Sequence, residues 1–197
     1  MSRVEVDVDV RSQFEKHLES FFAGHPREAR YLDRGPIAER LQGFHVEVFA
    51  PGPRLGDSWM YITCGAASVL GPYPRRCEFL ILGLRDNELW LELATTIAYY
   101  HAGAESQKFG LGHTVPLGKP LLPGASCDSL LFCFPYPLAP ELWRCELSDG
   151  THIQVLWALP ITSAERAFNK DHGLDELEDR FEKAGIEYWD MSRRSVV

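Results

Sequence analysis

Residues 150–181, GTHIQVLWALPITSAERAFNKDHGLDELEDRF, carry the strongest fold signal in the chain. Residues 153–159 form an apolar run rich in β-branched and aromatic side chains, which is typical of a strand buried on both faces. We expect Pro160 to end that strand, because proline cannot donate to a sheet ladder. Thr162 and Glu165 have the spacing of a capping box, which predicts that a helix begins there.

A second helix is predicted in the same stretch. Apolar residues recur at helical spacing from Leu174 to Ala184, with Asp171 suited to cap the start and Gly185 the end. A central strand that leads into two amphipathic helices indicates a sheet with helices packed on it.

The rest of the chain alternates between strand-like and helix-like segments. Residues 4–10 alternate valine with acid, which predicts a short strand or a mobile acidic arm. A capping box at Ser12 predicts a helix to about Phe22, and Pro26 predicts a short helix to about Leu32. Further strands are expected at residues 44–49, 58–64, 76–84, 113–115, 129–134 and 143–147, and a long helix at 87–102. A Ser-Asp-Gly turn at 148–150 indicates a hairpin.

This order of elements predicts an α+β fold, with a mixed, mostly antiparallel β-sheet and helices packed on it. We expect one domain over residues 1–197. It would consist of an N-terminal helical segment, 1–43, and a core, 44–197, that ends in a docked C-terminal tail.

Composition and charge exclude several classes of function. Of the 197 residues, 45% are hydrophobic and 24% are charged, which suits a globular chain with a sizeable core. The net charge of −8 argues against nucleic-acid binding, since phosphates need a basic surface. There is no apolar run of membrane-spanning length and no signal-peptide pattern, so we expect a cytoplasmic protein without a membrane partner.

The five cysteines are predicted to be free and buried. Their number is odd and none has C-x-x-C spacing: Cys64, Cys77, Cys127, Cys133 and Cys145. Histidine and cysteine also lack the short paired spacing of a zinc site, so we expect neither metal nor cofactor.

Five short motifs lie in order along the chain, WMYITCGAAS at 59–68, RCEFLI at 76–81, FGLGHTV at 109–115, LWALPITSAE at 156–165 and DMSRRSV at 190–196. Together they are similar to motifs of the suppressor-of-fused family, including its G-H-T, P-I-x-x-x-E and D-x-x-R-x-S-V elements. The resemblance reaches from about Phe44 to the C-terminus. It implies a suppressor-of-fused-like domain of the stand-alone type that is typical of bacteria.

The resemblance also implies a non-enzymatic function, namely binding and masking a protein. In animals such proteins sequester zinc-finger transcription factors of the Hedgehog pathway, and the bound peptide lies as an added strand. In bacteria the family is regarded as a source of immunity proteins that neutralise toxins. We therefore expect a toxin domain or a regulatory protein as the partner. An acidic chain would favour a basic partner, and we expect the chain itself to be a monomer or weak homodimer.

Candidate partner-binding residues are aromatic or polar side chains predicted in loops or at strand ends. They are Tyr73, His113, Tyr136, Trp143, Asp190 and Arg193. Exposed aromatic residues often anchor interfaces, although at such positions they more often close the edge of a core. We expect any groove beside residues 110–124 and the tail. Asp190 with Arg193 or Arg194 would either form an ion pair that tethers that tail or make a polar rim where a partner docks.

Two other classes of function fit individual residues. A small hydrolase could use Cys127 as nucleophile with His113 or His101, provided that the thiol lies in an electropositive niche. A purely structural subunit would need none of these groups and would form a stable homo-oligomer. Glu165, similarly, is either a buried acid in a pocket or simply the second half of its capping box.

Overall fold

The computed structural model describes residues 7–32, 35–69, 76–103 and 108–197. Its α-helices are α1 (Val8–Phe21), α2 (Pro36–Arg40), α3 (Glu88–His101), α4 (Ser163–His172) and α5 (Leu174–Ala184). Its strands are β1 (Arg27–Tyr31), β2 (His45–Phe49), β3 (Trp59–Cys64), β4 (Cys77–Gly83), β5 (Thr114–Pro116), β6 (Ser129–Cys133), β7 (Arg144–Glu146) and β8 (His152–Ile161). None of the helices in these ranges is long and apolar enough to cross a membrane.

The eight described strands form one sheet in the order β1-β2-β3-β4-β8-β6-β5, with β7 pairing with β8. The paired strands are mostly antiparallel, which confirms the predicted α+β class. The chain divides into two compact units, residues 1–110 with 134–156, and residues 111–133 with 157–197. The expectation of a single domain stays a prediction.

The first unit is built on β2, β3 and β4. Nearly every residue of these strands is buried, because α1 and α3 pack on them and cover their side chains. Phe14 and Leu18 lie on the buried face of α1, and Phe22 at its C-terminal cap is buried as well. Asn87 caps α3, since its side chain accepts a hydrogen bond from the Leu89 N–H at 3.0 Å.

A buried carboxylate fixes the turn that follows β3. Glu78 Oε1 accepts hydrogen bonds from the N–H groups of Gly65 and Ala67 at 2.8 and 3.0 Å. Its Oε2 accepts from the Thr63 hydroxyl at 2.5 Å and the Ala66 N–H at 3.3 Å. Burial raises the pKa of Glu78 to about 7, although these hydrogen bonds favour its charged form.

The second unit contains β5, β6, the end of β8 and the last two helices. The capping box predicted at Thr162 is confirmed, because the Thr162 hydroxyl accepts from the Glu165 N–H and Glu165 accepts from the Thr162 N–H. Pro160 does not end the strand as predicted, since β8 continues to Ile161 with Pro160 opposite Leu130. Proline has no N–H to donate, but the other residues of β8 keep the strand paired with β6.

Predictions for the N-terminal region were partly wrong. The helix begins at Val8, where Asp7 Oδ1 accepts from the Asp9 N–H at 3.0 Å, rather than at Ser12. The alternative of a strand over 4–10 is therefore wrong from Val8 onward, while residues 1–6 lie outside the described ranges. The short helix predicted after Pro26 is strand β1, because pairing with β2 outweighs the local helix signal.

Candidate functional site

The predicted partner-binding residues fall in different parts of the chain. Tyr73 lies outside the described residues. Tyr136 and Trp143 belong to the first unit, and the other three belong to the second. Each unit is therefore described with its own candidate surface.

An aromatic cluster in the first unit contains Tyr136 and Trp143. The Trp143 ring stacks on Phe134 with centroids 5.0 Å apart, and Tyr136 meets it edge-on at 5.6 Å. The Trp143 indole N–H donates to the Leu138 carbonyl at 3.1 Å, so this side chain mainly supports the loop. Tyr136 is 42% exposed and is the ring that a partner can reach.

A cavity of about 440 Å³ opens in the same unit, lined by His17, Ser20, Phe21, Arg54, Ala139 and Glu141. The Arg54 guanidinium lies 4.5 Å from the centre of the Phe21 ring. Burial lowers the pKa of His17, despite a main-chain contact with Leu142 that acts in the opposite direction. This mixed lining of one cation, one anion and one ring selects no single class of small molecule.

In the second unit, β5 stands last in the strand order and pairs with β6. The Phe132 N–H donates to the His113 carbonyl at 2.9 Å, and the Leu117 N–H donates to the Asp128 carbonyl at 2.8 Å. Hydrogen-bonded and non-hydrogen-bonded pairs alternate along an antiparallel ladder. The N–H and C=O of Thr114 and the C=O of Pro116 therefore point away from β6, toward the open edge.

The backbone before β5 is held in a fixed shape. Gly112 has φ +78, its N–H donates to the Phe132 carbonyl, and its carbonyl accepts from the Asn169 side chain at 3.0 Å. A side chain at this position would be strained and would contact Leu174. This turn leaves His113 exposed and Leu111 39% exposed beside the edge strand.

A buried ion pair holds the C-terminal segment, residues 190–197. The Arg193 guanidinium binds both carboxylate oxygens of Glu165, with Nη1–Oε1 2.5 Å and Nη2–Oε2 2.9 Å. Glu165 Oε1 also accepts from the Val196 N–H at 3.2 Å. Glu165 closes the predicted capping box, and this fully buried acid also binds the tail, whereas its placement in a pocket stays a prediction.

Of the two ion pairs predicted for Asp190, with Arg193 or with Arg194, the structure gives the Arg193 guanidinium Glu165 as its bound carboxylate, and the pair with Arg194 stays a prediction. Asp190 Oδ1 accepts from the N–H and hydroxyl of Ser192, which lowers the pKa of Asp190. The Met191 carbonyl accepts from the N–H groups of two residues that precede β6, Ser126 and Cys127. The tail is thereby joined to the segment between β5 and β6.

The environment of Cys127 is the opposite of one that activates a cysteine as a nucleophile. All five cysteines are free and buried, as predicted, and Cys127 is 1% exposed. Burial raises the pKa of the Cys127 thiol to about 11, although Arg193 opposes this shift. A reactive cysteine needs a lowered pKa and access to substrate, so this thiol is a poor candidate for catalysis. Within the described ranges, no three His, Cys, Asp or Glu side chains group to hold a metal ion.

Two features of this site were not predicted from the sequence, namely the outward main-chain groups of β5 and the pairing of Glu165 with Arg193. Main-chain atoms of an edge strand leave no side-chain pattern, although Pro116 is a usable signal because prolines in sheets favour edges. The Glu165–Arg193 pair spans 28 positions, and a single sequence does not show which charged residues meet.

Comparisons with known proteins identify one family. The family model described as Suppressor of fused protein (SUFU) matches residues 38–194. A suppressor of fused homologue from Neisseria gonorrhoeae FA 1090 is similar, with 31% sequence identity and a TM-score of 0.75 over 97% of this chain and 98% of that chain. Curated proteins give no match.

Two more distant structures share the fold. The Sufu–Fu complex matches with a TM-score of 0.69 and 12% identity, over 98% of this chain and 93% of that chain. Drosophila Suppressor of Fused matches with a TM-score of 0.65 and 11% identity, over 95% of this chain and 51% of that chain. At these identities the likeness is one of fold alone.

Proposed function

Because this chain belongs to the suppressor of fused family, we propose that it is a non-enzymatic module that binds and masks a partner protein. One of the structures with the same fold is a complex, between Sufu and Fu. The poor position of Cys127 for catalysis supports a binding role over the hydrolase alternative.

The open edge of β5 carries this proposal. An extended segment of the partner would add to the sheet there and bind the outward N–H and C=O of Thr114 and the C=O of Pro116. Such main-chain hydrogen bonds supply affinity without fixing the partner's sequence. The exposed side chains of His113 and Leu111 lie beside this edge and would supply selectivity.

Other predicted residues would contribute less directly. Arg193 and Asp190 order the tail through Glu165 and Ser192, so we assign them a positioning role near the segment that leads into β6. Tyr136 would provide a separate aromatic contact on the first unit, with Trp143 supporting it.

The partner we propose is the basic domain of a toxin, which this chain would neutralise as a cytoplasmic bacterial immunity protein. The net charge of −8 supports a basic partner through electrostatic attraction. A regulatory protein such as a transcription or signalling factor is the alternative, and its identification in the experiment below would replace the toxin.

The test compares three forms of the protein, the wild type, Thr114→Pro and Thr114→Val. Proline removes the outward N–H of Thr114 without breaking a bond to β6, whereas valine retains the N–H and the β-branched shape. Each form, shown to be folded by circular dichroism, is immobilised and exposed to lysate of the source organism. Retained proteins are quantified by mass spectrometry.

We expect a specific partner to bind the wild type and Thr114→Val but to be lost from Thr114→Pro. The affinity of the purified partner for Thr114→Pro should fall by about tenfold, as expected for one missing hydrogen bond with its acceptor left unpaired. Equal retention by all three forms would reject the β5 edge as the site. The absence of any specific partner at saturating protein would reject the binding function.

A further inference from the structure

Among the described strands, β1 of the first unit is also an edge strand, because it stands first in the strand order and pairs with β2 alone. The Ala50 N–H donates to the Pro26 carbonyl at 3.4 Å, and these two residues are directly opposite in the register of β1 with β2. Alternation along the ladder then makes residues 27, 29 and 31 the non-hydrogen-bonded positions. Their N–H and C=O groups point to the side of β1 that is opposite β2.

The sequence of this strand, Arg27-Glu28-Ala29-Arg30-Tyr31, is complementary to itself when reversed. If two copies pair antiparallel with Ala29 opposite Ala29, the outward main-chain groups of each copy meet those of the other. Such a pairing forms up to about six hydrogen bonds. Opposite charges also meet, because Glu28 of each copy stands opposite Arg30 of the second.

The two ends of the strand are complementary as well. In the same register Arg27 stands opposite Tyr31 of the second copy. Tyr31 is 67% exposed, and a guanidinium over its ring is a favourable contact. A register shifted by two residues would lose the symmetric charge pairing, so the sequence favours this one.

Neighbouring side chains already hold β1 in shape for pairing. Arg30 binds Asp86 through both guanidinium nitrogens, at 2.9 and 2.7 Å, and Tyr61 donates a hydrogen bond to the same carboxylate. Arg27 contacts Glu19 at 2.6 Å. A strand that is ordered before association loses less conformational entropy on binding.

We propose that β1 pairs with β1 of a second copy of this chain, which joins two sheets edge to edge around a two-fold axis at Ala29. The contact is isologous, so it closes after two copies and does not propagate into fibres. It uses a different strand from the proposed partner site at β5, and either proposal stands without the other.

The dimer is expected to be weak. A pair of five-residue strands is small compared with the ~1,600 Å² of a standard stable interface. The equilibrium should therefore depend on protein concentration, and the charged pairs should weaken with added salt while the main-chain hydrogen bonds persist.

The first experiment measures the dimer dissociation constant by sedimentation equilibrium for the full chain. Ala29→Pro removes one outward N–H from each copy and leaves the ladder with β2 intact, whereas Ala29→Ser keeps that N–H. We expect the dissociation constant to rise about tenfold or more for Ala29→Pro and to stay near the wild-type value for Ala29→Ser. A wild type that stays monomeric at all soluble concentrations overturns the proposal.

Charge reversal tests the register. Glu28→Arg places like charges opposite each other at two positions of the dimer, so we expect dissociation. Glu92→Arg is the matched control, because Glu92 is exposed on α3 and undergoes the same change of charge away from β1. Equal weakening by both variants would show a general charge effect and would reject the specific pairing.

A cysteine at position 29 provides a readout that does not depend on weakened binding. Residues in a hydrogen-bonded antiparallel pair have Cα atoms about 5.5 Å apart, within the range that a disulfide bridges. The five native cysteines are buried and do not compete. Under mild oxidation Ala29→Cys should give a covalent dimer faster than Glu92→Cys. Equal rates for the two variants would show random collision and reject the proposal.

Discussion

Two buried glutamates each organise a main-chain turn in this protein. Glu78 binds the turn after β3 through Gly65 and Ala67, and Glu165 joins the start of α4 to the C-terminal tail. Each has several donors around its carboxylate, which is the condition for keeping such a group inside a protein. They differ in the charge of their donors, because Glu165 has a guanidinium partner while the donors to Glu78 from the described residues are neutral.

Removing the guanidinium from Glu165 should strongly destabilise the fold. Arg193→Ala leaves a fully buried carboxylate without its counter-charge, and we expect a loss of about 3–5 kcal/mol in the free energy of unfolding. Urea denaturation followed by tryptophan fluorescence measures it. The double variant Arg193→Met with Glu165→Gln removes both charges and should lose less than Arg193→Ala. The single variants Arg193→Met and Glu165→Gln complete the cycle, and losses that simply add up in the double variant would contradict a coupled pair.

Glu78 should give the protein a distinctive dependence on pH. Its pKa lies near 7 in the folded state and near 4.5 in the unfolded chain. Below the lower value the carboxyl is protonated in both states, and the folded protein loses no stability. As the pH rises from 4.5 to about 7 only the unfolded chain ionises, so the free energy of unfolding should fall by about 3 kcal/mol.

The measurement compares urea denaturation of the wild type and Glu78→Gln at several pH values across this window. Glutamine cannot ionise, so the fall should be absent from the variant, whose amide nitrogen meanwhile meets main-chain donors and lowers its stability at every pH. The difference between the two proteins removes the contribution of histidines that titrate in the same range. A constant difference across the window would contradict the raised pKa of Glu78.

At the scale of elements, the sequence predicts what hydrophobic pattern and capping determine. The alternation at 44–49, the apolar run at 153–159 and the caps Asn87 and Thr162 correspond to elements of the structure. The failure at β1 has a physical reason. Arg27-Glu28-Ala29-Arg30 has the composition of a helix and becomes a strand because β2 supplies its hydrogen bonds. That pairing is long-range, so local propensity does not reveal it.

The candidate site was also predictable only in part. His113, Asp190 and Arg193 were found through motif resemblance and lie in the unit that carries β5. Glu165 was noted as a capping residue or buried acid, but neither its pairing with Arg193 nor the outward orientation of the Thr114 main chain was predicted, because both depend on the fold. Tyr136 and Trp143 were chosen as exposed aromatic residues, and the structure brings their rings into contact.

The cap of α4 offers a test at the same scale. The Thr162 hydroxyl accepts from the Glu165 N–H at 3.2 Å and contacts the Ser195 hydroxyl in the tail at 3.2 Å. Thr162→Ala should therefore cost about 1 kcal/mol in the free energy of unfolding, as for other N-caps. Thr162→Ser keeps the hydroxyl and should cost much less. Equal losses would show that the methyl group, rather than the cap, stabilises this junction.

At the scale of the whole molecule, β1 and β5 stand first and last among the described strands of the sheet, and their chemistry differs. The strand β1 has five residues, and its Glu28 and Arg30 meet in opposite pairs when two copies align antiparallel at Ala29, which suits a second copy of itself. The strand β5 has three residues, one of which is a proline, and this limits the hydrogen bonds it offers. Short edges with proline resist indiscriminate pairing. Side chains around β5 must therefore contribute to selecting a partner there.

The net charge of −8 leads to a kinetic prediction for that partner. If the partner is basic, long-range attraction speeds the encounter, while short-range hydrogen bonds at β5 govern dissociation. Raising the salt from about 0.1 M to 1 M shortens the screening length from roughly 10 Å to 3 Å. The association rate constant, measured by stopped-flow fluorescence with the captured partner, should fall steeply. The dissociation rate constant should change little.

The Thr114→Pro variant should show the opposite pattern, with unchanged association and faster dissociation, because it alters the bound edge and leaves the net charge untouched. An association rate that is insensitive to salt would contradict selection by charge. The proposal of a basic toxin domain would then fail, while strand addition at β5 would still stand if Thr114→Pro dissociates faster. The association rate constant thus tests whether the partner is basic, and the dissociation rate constant tests whether the partner binds at β5.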